Sequence, residues 1–435
     1  MDILLNPAVV SIIILCILCL KRINVLLAII IATLLAGFLS GMDVERIMNV
    51  LISGMGGNSE TALSYILLGA FAATMAYSGF TNIISSKILQ VISGKKWMLL
   101  LILVLISMTS QNIIPIHIAF IPIIIPPLLS IMNKLNIDRR AVANVLAFGL
   151  KMPYLTIPVG FGLIFHNLIA DNLISNGLDV VRTEIWKYTA ILGLGMIVAL
   201  IIAIFISYRK TRFYEDKSIN IVADSKLECS KYTICIVSLA ALLTFIVQLC
   251  THSLPLGAIV GLGTIFTFRV IPKNNMDNMV NEGIYLMGYV AFVMLVAAGF
   301  AAVLKESGAI DSLLNAVVNL LPSNILITSL IILLLGLFIT IGIGSSFGTI
   351  PILAVLFVPI CINQGFSTPQ IIILIAAAAA LGDAGSPASD TTLGPTAGLN
   401  ADGQHNHIFD TCIPTFLHYN VALIIFAILG IWLFA

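Results

Sequence analysis

Apolar segments long enough to cross a lipid bilayer recur along this chain of 435 residues, and they leave few folds open to it. Hydrophobic residues make up 60% of the sequence and charged residues 9%, with a mean hydropathy of +1.11. Soluble domains carry about 25% charged residues, whereas a helix that crosses a bilayer needs roughly 20 apolar residues. Backbone groups in lipid must be satisfied within the segment, so we expect an all-α polytopic membrane protein.

The charge balance and the cysteines exclude several classes of protein. The 21 Lys and Arg against 20 Asp and Glu give a net charge of +1, which leaves no basic excess for nucleic acid. The seven cysteines are odd in number and lie mostly in apolar runs, so we expect buried thiols rather than disulfides or a metal site. The sequence lacks the phosphate-binding loop G-x-x-x-x-G-K-[ST] of ATP-driven pumps.

The two halves of the chain match at a fixed shift of 229 residues. The matched positions are Phe71-Ala72-Ala73 with Phe300-Ala301-Ala302, Ser78-Gly79 with Ser307-Gly308, Pro122 with Pro351, and Pro158 with Pro387. Paired glycines and prolines in one ungapped register are harder to obtain by chance than paired alanines. The sequence therefore predicts an internal repeat, with residues 1–207 and 232–435 as the halves and 208–231 as the linker.

The distribution of Lys and Arg gives each half an orientation. If the first helix runs from outside to inside, 16 of the 21 Lys and Arg lie on the cytoplasmic side, as the positive-inside rule requires. Both termini are then outside the cytoplasmic membrane and the linker is cytoplasmic. The second half starts on the opposite side from the first, so the repeats are predicted to be inverted, which is typical of alternating-access transporters.

Each half predicts the same order of elements: two helices, a third helix after an amphipathic connection, a re-entrant hairpin, a broken transmembrane helix and a closing helix. The first half comprises 4–20, 24–41, 63–83, 97–132, 141–165 and 186–207, and the second 232–250, 255–271, 289–305, 324–362, 369–395 and 413–434. The middle of each hairpin is polar or glycine-rich. Such backbone is tolerated at membrane depth only where it is buried in protein or lines a cavity.

The break in the second half concentrates acidic and hydroxyl side chains after the apolar run 371–380. The residues predicted to bind a cation are Gly382, Asp383, Ser386, Pro387, Ser389, Asp390, Thr391 and Thr392. Carboxylate, hydroxyl and freed carbonyl oxygens suit Na⁺, and an Asp in a low-dielectric site can instead carry a proton. A third interpretation is that the acids cap half-helices or lie in a cytoplasmic loop.

The corresponding break in the first half, residues 151–158, contains a cation and no acid. Lys151 is predicted to lie about 16 Å deeper than Arg140, near Asp383, Asp390 or a substrate carboxylate, unless it snorkels to the surface. The other residues predicted to bind substrate are Thr156 and the hairpin-tip groups Ser110, Gln111, Asn112, His117, Ser345, Ser346 and Thr349. His117 has a second interpretation, as a hydrogen-bonded residue of a polar pocket.

The run from Asp402 to Asp410 contains two His and two Asp. A metal site, a polar loop and a proton sensor are all compatible with this composition. The spacing does not require a metal, so none beyond Na⁺ is predicted.

These residues resemble the signature of a known family. Gly382-Asp383, Ser386-Pro387, Ser389-Asp390-Thr391-Thr392 and His407-Ile408 resemble bacterial Na⁺/H⁺ antiporter family proteins of the NhaC type, in the ion-transporter superfamily. The longer segment 382–420 also resembles a subgroup that includes predicted histidine permeases. The resemblance implies an elevator-type transporter with a dimerising scaffold domain. It also implies that Ser386, Pro387, Asp390, Thr391 and Thr392 line the ion and substrate site.

Two transport functions follow, and an enzymatic one is discounted. The first is exchange of Na⁺ for H⁺ across the cytoplasmic membrane. The alternative is Na⁺- or H⁺-coupled uptake of an amino acid, such as histidine, or of another small carboxylate. An aspartyl intramembrane protease needs acids on two different helices, whereas Asp383 and Asp390 share one segment.

The expected partners are the coupling ions, the bilayer and a second copy of the chain, with no cofactor.

Overall fold

The computed structural model describes residues 5–80, 83, 95–112, 121–159, 161–215, 217, 230–251, 253–318, 321–322 and 324–434. These residues form helices and their connections, and the described ranges contain no strand. By length and composition, five of the described helices can cross a membrane, or up to seven if each of two bent pairs counts as one span. The prediction of an all-helical, multi-pass membrane protein is confirmed.

The first half contains nine helices among the described residues. They are α1 (Pro7–Leu20), α2 (Val25–Leu39), α3 (Val44–Gly54), α4 (Ser59–Tyr77), α5 (Lys96–Asn112), α6 (Ile121–Lys134), α7 (Arg139–Thr156), α8 (Phe161–Ser175) and α9 (Ile185–Ile202). Side-chain oxygens of Asn6, Asn24, Asp43 and Asp138 accept hydrogen bonds from the first backbone amides of α1, α2, α3 and α7. These caps explain where the apolar runs become helical.

The described part of the second half contains a further nine helices. They are α10 (Lys231–Thr251), α11 (Leu254–Thr267), α12 (Met276–Glu306), α13 (Ala309–Val318), α14 (Ile325–Ile343), α15 (Ser346–Asn363), α16 (Thr368–Ala380), α17 (Asp390–Leu399) and α18 (His407–Leu433). α18 includes two π-helical stretches, His407–Cys412 and Phe416–Asn420. Such bulges often occur where a helix contributes to a functional site.

Helix boundaries in the two halves recur at the 229-residue shift. α2, α5, α7 and α8 begin at residues 25, 96, 139 and 161, and α11, α14, α16 and α17 begin at 254, 325, 368 and 390. The left-handed residues Gly79 and Gly308 follow α4 and α12 at the same shift. A packing contact also recurs: Ser107 lies against Gly149, and Gly336 against the backbone of Ala378.

The halves differ in the segment before the hairpin. In the first half, a 3₁₀ turn at Met55–Asn58 separates α3 from α4, whereas α12 runs unbroken from the amphipathic connection to its end. The shift places Tyr285 and Leu286 where the first half has Gly56 and Gly57. Glycine weakens a helix interior by roughly 1 kcal/mol relative to alanine, which accounts for the interruption.

The first broken helix is interrupted later than expected. The sequence predicts a break over residues 151–158, but α7 continues to Thr156 with Pro153 in its interior. The helix ends where Ile157 takes an extended conformation before Pro158, because proline disfavours helical geometry in the preceding residue. α7 and α8 then meet at a bend of 48°. Between α14 and α15 the chain turns at Gly344, with φ 74°.

A buried ion pair fixes the start of α7 against the loop after α17. Nη2 of Arg139 lies 2.5 Å from Oδ2 of Asp402, and the exposed fractions of the two side chains are 0% and 1%. Arg139 also donates to the carbonyl of Leu399 (2.9 Å) and to Oδ1 of Asn133 (3.0 Å). Breaking a buried pair leaves a charge uncompensated, so we expect Asp402→Asn to lower the free energy of unfolding by about 3–5 kcal/mol.

The pH dependence of unfolding gives this prediction a second readout. Burial raises the pKa of Asp402, but the hydrogen bonds and charge of Arg139 outweigh it, so the pKa lies below its ordinary value. The pair therefore stabilises the fold above about pH 4 and loses this effect as pH falls further. Thermal unfolding in detergent should show this acid sensitivity in the wild type and less of it in Asp402→Asn. The control Glu306→Gln breaks the exposed Arg46–Glu306 pair and should change stability by less than about 1 kcal/mol.

Candidate cation site

The break between α16 and α17 brings buried polar groups together in an apolar interior. Residues Leu381–Ser389 turn the chain, with Gly382 and Gly385 at φ 86° and 101°. The side chain of Asn420 on α18 accepts from the amide of Gly382 (3.1 Å) and donates to the carbonyl of Ala384 (2.7 Å). Asn420 thus replaces hydrogen bonds that the interrupted helix has lost.

Asp383 lies at the centre of this cluster, with 9% of its side chain exposed. Its Oδ2 accepts from the hydroxyls of Tyr154 and Ser346, both at 3.2 Å, and its Oδ1 accepts from Thr391 at 3.2 Å. Tyr154 and Ser346 also contact each other at 3.0 Å. Side chains from α7, α15 and α17 therefore meet on one carboxylate.

Lys151 supplies the positive charge of the cluster. Its side chain is fully buried, and Nζ lies 3.9 Å from Oδ2 of Asp383. The ammonium also donates to the carbonyl of Ala380 at the end of α16. Burial excludes the interpretation of Lys151 as a snorkelling side chain. Of the predicted partners of Lys151, the structure places Asp383 beside it.

Hydroxyl groups of the break mostly satisfy its own carbonyls. Ser389 and Thr391 donate to the carbonyl of Asp383 at 2.6 and 2.9 Å, and Thr392 donates to that of Ser386 at 2.5 Å. Ser386 bonds the carbonyl of Ile341 on α14. Among the described residues, the hydroxyls that hydrogen-bond to the Asp383 carboxylate are therefore those of Tyr154, Ser346 and Thr391.

Asp390 has a different environment from Asp383. It is half-buried at the first position of α17, and its Oδ1 accepts from the hydroxyl of Tyr65 on α4 at 2.6 Å. The two acids that the sequence groups together thus have different partners.

The remaining residues predicted to bind substrate have different surroundings. Thr349 is buried and receives a hydrogen bond from Thr340, which also donates to the carbonyl of Ala379. Ser345 caps α15, and Thr156 bonds within its own helix while its methyl group packs on Gly193. Ser110, Gln111 and Asn112 lie in α5, but their side chains are outside the described residues, as is all of His117.

Sequence reasoning missed Tyr154, Asn420 and Tyr65 as site residues. Two signals for Tyr154 were available, its place three residues after Lys151 and the 229-residue register that pairs it with Asp383. Asn420 ends the 382–420 segment that carries the family resemblance, which was a signal for it, whereas Tyr65 lies in a helix that no motif distinguishes. Among the described residues, no group of three or more His, Cys, Asp or Glu is arranged to hold a metal ion. In the 402–410 run, Asp402 instead pairs with Arg139 and Asp410 with Arg212.

Comparisons with known proteins give the family of this chain. A model of the Na⁺/H⁺ antiporter family matches residues 145–431, and one of the Na⁺-H⁺ antiporter family matches residues 6–92. The membrane protein VP2115 of Vibrio parahaemolyticus is 44% identical, with 97% of this chain and 98% of that protein covered. The "Putative amino acid transporter YuiF" of Bacillus subtilis is 44% identical, with 86% and 87% covered.

Similarity to solved structures is weaker. The YdaH transporter of Alcanivorax borkumensis is 13% identical, with a TM-score of 0.43 over 90% of this chain and 88% of that one. The family match instead rests on sequence, since one family model covers more than half of the chain and the relatives cover nearly all of it. With its multi-pass helical fold, this chain belongs to the Na⁺/H⁺ antiporter family of membrane transporters.

Proposed function

We propose that this protein is a secondary transporter that exchanges Na⁺ for H⁺ across the cytoplasmic membrane, with Asp383 as its cation ligand. The observation that carries the proposal is the buried pair of Lys151 and Asp383, 3.9 Å apart. An unpaired charge at this depth costs several kcal/mol, so the Asp383 carboxylate requires one compensating cation. Lys151 meets that requirement while it is protonated.

Exchange follows from competition for this one carboxylate. When Na⁺ binds Asp383, the positive charge of Lys151 becomes redundant, and the ammonium releases one proton to become a neutral amine. When Lys151 takes up a proton, Na⁺ is displaced. Each state contains one carboxylate and one cation, so the exchange is one Na⁺ for one H⁺. The carboxylate oxygens and the hydroxyls of Ser346, Thr391 and Tyr154 are the hard ligands that such a cation prefers.

The proposal includes an inverted-repeat architecture with halves 1–207 and 232–435 around the linker 208–231. Recurring helix boundaries and the repeated Ser107–Gly149 and Gly336–Ala378 contacts support it. Two contacts of the site join residues 229 positions apart, Lys151 with Ala380 and Tyr154 with Asp383. Equivalent residues touch where they lie beside the axis that relates two repeats, and transporters of this type bind substrate there.

Alternating access by an elevator movement belongs to the same proposal. The placement of both termini outside, the cytoplasmic linker and a homodimer also stay predictions. They rest on the positive-inside distribution and on the family resemblance.

A second candidate function is cation-coupled uptake of an amino acid. The similarity to YuiF over 86% of this chain favours it. The site offers matching chemistry, because a buried ammonium and carboxylate can pair with the carboxylate and ammonium of a zwitterion. In this case Lys151 would bind the solute rather than release a proton.

Proteoliposomes containing a pH-sensitive dye distinguish the two functions. For Na⁺/H⁺ exchange, an external Na⁺ pulse without organic solute should make the interior alkaline, whereas a K⁺ pulse should not. If Na⁺ moves no protons but a Na⁺ or H⁺ gradient drives uptake of labelled histidine or another amino acid, the second function replaces the first.

A further inference from the structure

An apolar cavity of about 250 Å³ lies between α1, the break and α18. Cys16 and Leu20 line it from α1, Gly385 and Pro387 from the break, and Phe416 from α18. Apolar cavities of about 150 Å³ stay dry and can hold a benzene ring. This cavity therefore has room for a segment of hydrocarbon chain and offers water few polar partners.

The cavity opens on the surface that faces lipid. Leu20 and Leu417 line it with 51% and 54% of their surface exposed, whereas Cys19 and Cys412 line it with 3% and 4% exposed. α18 is long and apolar enough to cross a membrane. Exposed apolar side chains on such a helix face lipid tails rather than water. The material available to fill the cavity is therefore hydrocarbon.

Two cations lie at one end of this cavity. Lys21 and Arg22 directly follow the lining residue Leu20, and both are exposed. The guanidinium of Arg22 lies 5.1 Å from the centre of the Phe409 ring, and Phe409 directly follows the lining residue Ile408. The end of α1 and the start of α18 thus bring positive charge to the mouth of an apolar space.

The positive charge at this end is not neutralised by an acid. Among the described residues, neither Lys21 nor Arg22 forms an ion pair with a carboxylate. Asp410, the acid that follows Phe409 in sequence, instead pairs with Arg212 at 2.7 Å. Arg22 also has φ 63°, a conformation in which glycine or asparagine is usual after a helix. A strained position occupied by a long cation points to a role for its side chain.

We propose that this cavity holds one acyl chain of an anionic phospholipid whose phosphate contacts Lys21 and Arg22. The two parts of the site match the two parts of such a lipid, because hydrocarbon fits the apolar walls and Lys and Arg pair with phosphate. The bound chain lies against Gly385 and Pro387, in the turn that places Asp383. The proposal goes beyond Na⁺/H⁺ exchange and does not depend on which ion or solute is carried.

Native thiols provide the test of binding. Cys16 is half-buried in the cavity, whereas Cys250 on α10 is exposed and does not line it. Delipidated protein in dodecyl maltoside is treated with N-ethylmaleimide, and alkylation of each thiol is followed by mass spectrometry of its peptide. Dioleoylphosphatidylglycerol, at ten times its dissociation constant, should slow alkylation of Cys16 about tenfold and leave Cys250 unchanged. Dioleoylphosphatidylcholine has the same chains without net charge and should protect only at much higher concentration.

The variant Lys21→Gln/Arg22→Asn tests the role of the cations. It removes both charges, and asparagine tolerates the left-handed backbone of position 22. The phosphatidylglycerol concentration that halves the alkylation rate of Cys16 should rise roughly 30-fold, from about fivefold for each cation, while that of phosphatidylcholine stays unchanged. The control Arg182→Gln removes an exposed cation that is paired with Asp171 and should leave protection by both lipids as in the wild type.

Leu417→Trp tests the cavity itself. A larger side chain at the exposed rim should weaken protection of Cys16 by both lipids. Leu27→Trp adds the same ring at an exposed position on α2 that does not line the cavity, and it should have no effect.

Three results would overturn the proposal. The first is that neither lipid protects Cys16, or that Cys250 is protected equally. The second is equal protection by both lipids with no effect of Lys21→Gln/Arg22→Asn, which would leave a cavity filled by bulk lipid without recognition of a phosphate. The third is protection by oleate at lower concentration than by phosphatidylglycerol, which would assign the cavity to a free fatty acid. Each result is independent of the dye assay for Na⁺/H⁺ exchange.

Discussion

Replacing Asp383 by Asn is expected to abolish Na⁺/H⁺ exchange in proteoliposomes. The substitution keeps the size of the side chain but removes the charge that compensates Na⁺ in a buried site. A loss of about 3 kcal/mol in binding free energy, at the lower end of what unpairing a buried charge costs, lowers Na⁺ affinity by roughly 100-fold. The measurement is ²²Na⁺ uptake as a function of Na⁺ concentration, together with dye-reported proton movement.

Asp390→Asn is the matched control for this experiment. Asp390 lies seven residues further along the same segment but is half-buried and bonded to Tyr65 on α4. We expect its substitution to leave Na⁺ affinity within a few-fold of the wild type, because its carboxylate accepts a hydrogen bond from Tyr65 on α4 and is half-buried. If Asp390→Asn lost Na⁺ dependence and Asp383→Asn kept it, the assignment of the cation ligand would be reversed.

Replacing Lys151 by Met is expected to uncouple Na⁺ from H⁺ and to destabilise the protein. Met fills a similar volume without charge, so Asp383 is left without its built-in cation. Na⁺ can then bind without releasing a proton, and ²²Na⁺/Na⁺ exchange should persist while ΔpH-driven uptake is lost. In the absence of Na⁺, the unpaired carboxylate should lower the free energy of unfolding by about 3–5 kcal/mol.

The double variant Lys151→Met/Asp383→Asn tests the origin of this destabilisation. Removing both charges eliminates the uncompensated one, so most of the lost stability should return in thermal unfolding measured in detergent. Lys187→Met, which removes an exposed cation paired with Glu184, serves as the control and should change little. Proton-coupled Na⁺ uptake that survives in Lys151→Met would contradict the exchange mechanism.

Much of this architecture could be predicted because its causes are local. Apolar runs flanked by Asn, Asp and Ser caps become helices wherever they occur in a bilayer, and Gly382, Gly385 and Pro387 interrupt a helix regardless of what surrounds it. The 229-residue register was also visible in the sequence, and it matches helix starts that the composition alone would not locate.

Local sequence signals gave the wrong answer, or none, where contacts with neighbouring helices determine the structure. Pro153 looks like a helix breaker, yet α7 continues past it and ends before Pro158. The sequence likewise left Thr156 and Ser346 equivalent as hydroxyl groups predicted to bind substrate. In the structure Ser346 bonds Asp383, whereas Thr156 turns its methyl group towards Gly193.

Composition and pattern were enough to identify a helical membrane protein whose second break contains two acids, because burial in lipid constrains every segment separately. Which acid faces Lys151 depended on packing, since a charge acts over a few ångströms and residues 232 positions apart become neighbours only when helices assemble. Tertiary structure placed Asp383 beside Lys151 and Asp390 beside Tyr65. It thereby divided one sequence motif into two different environments.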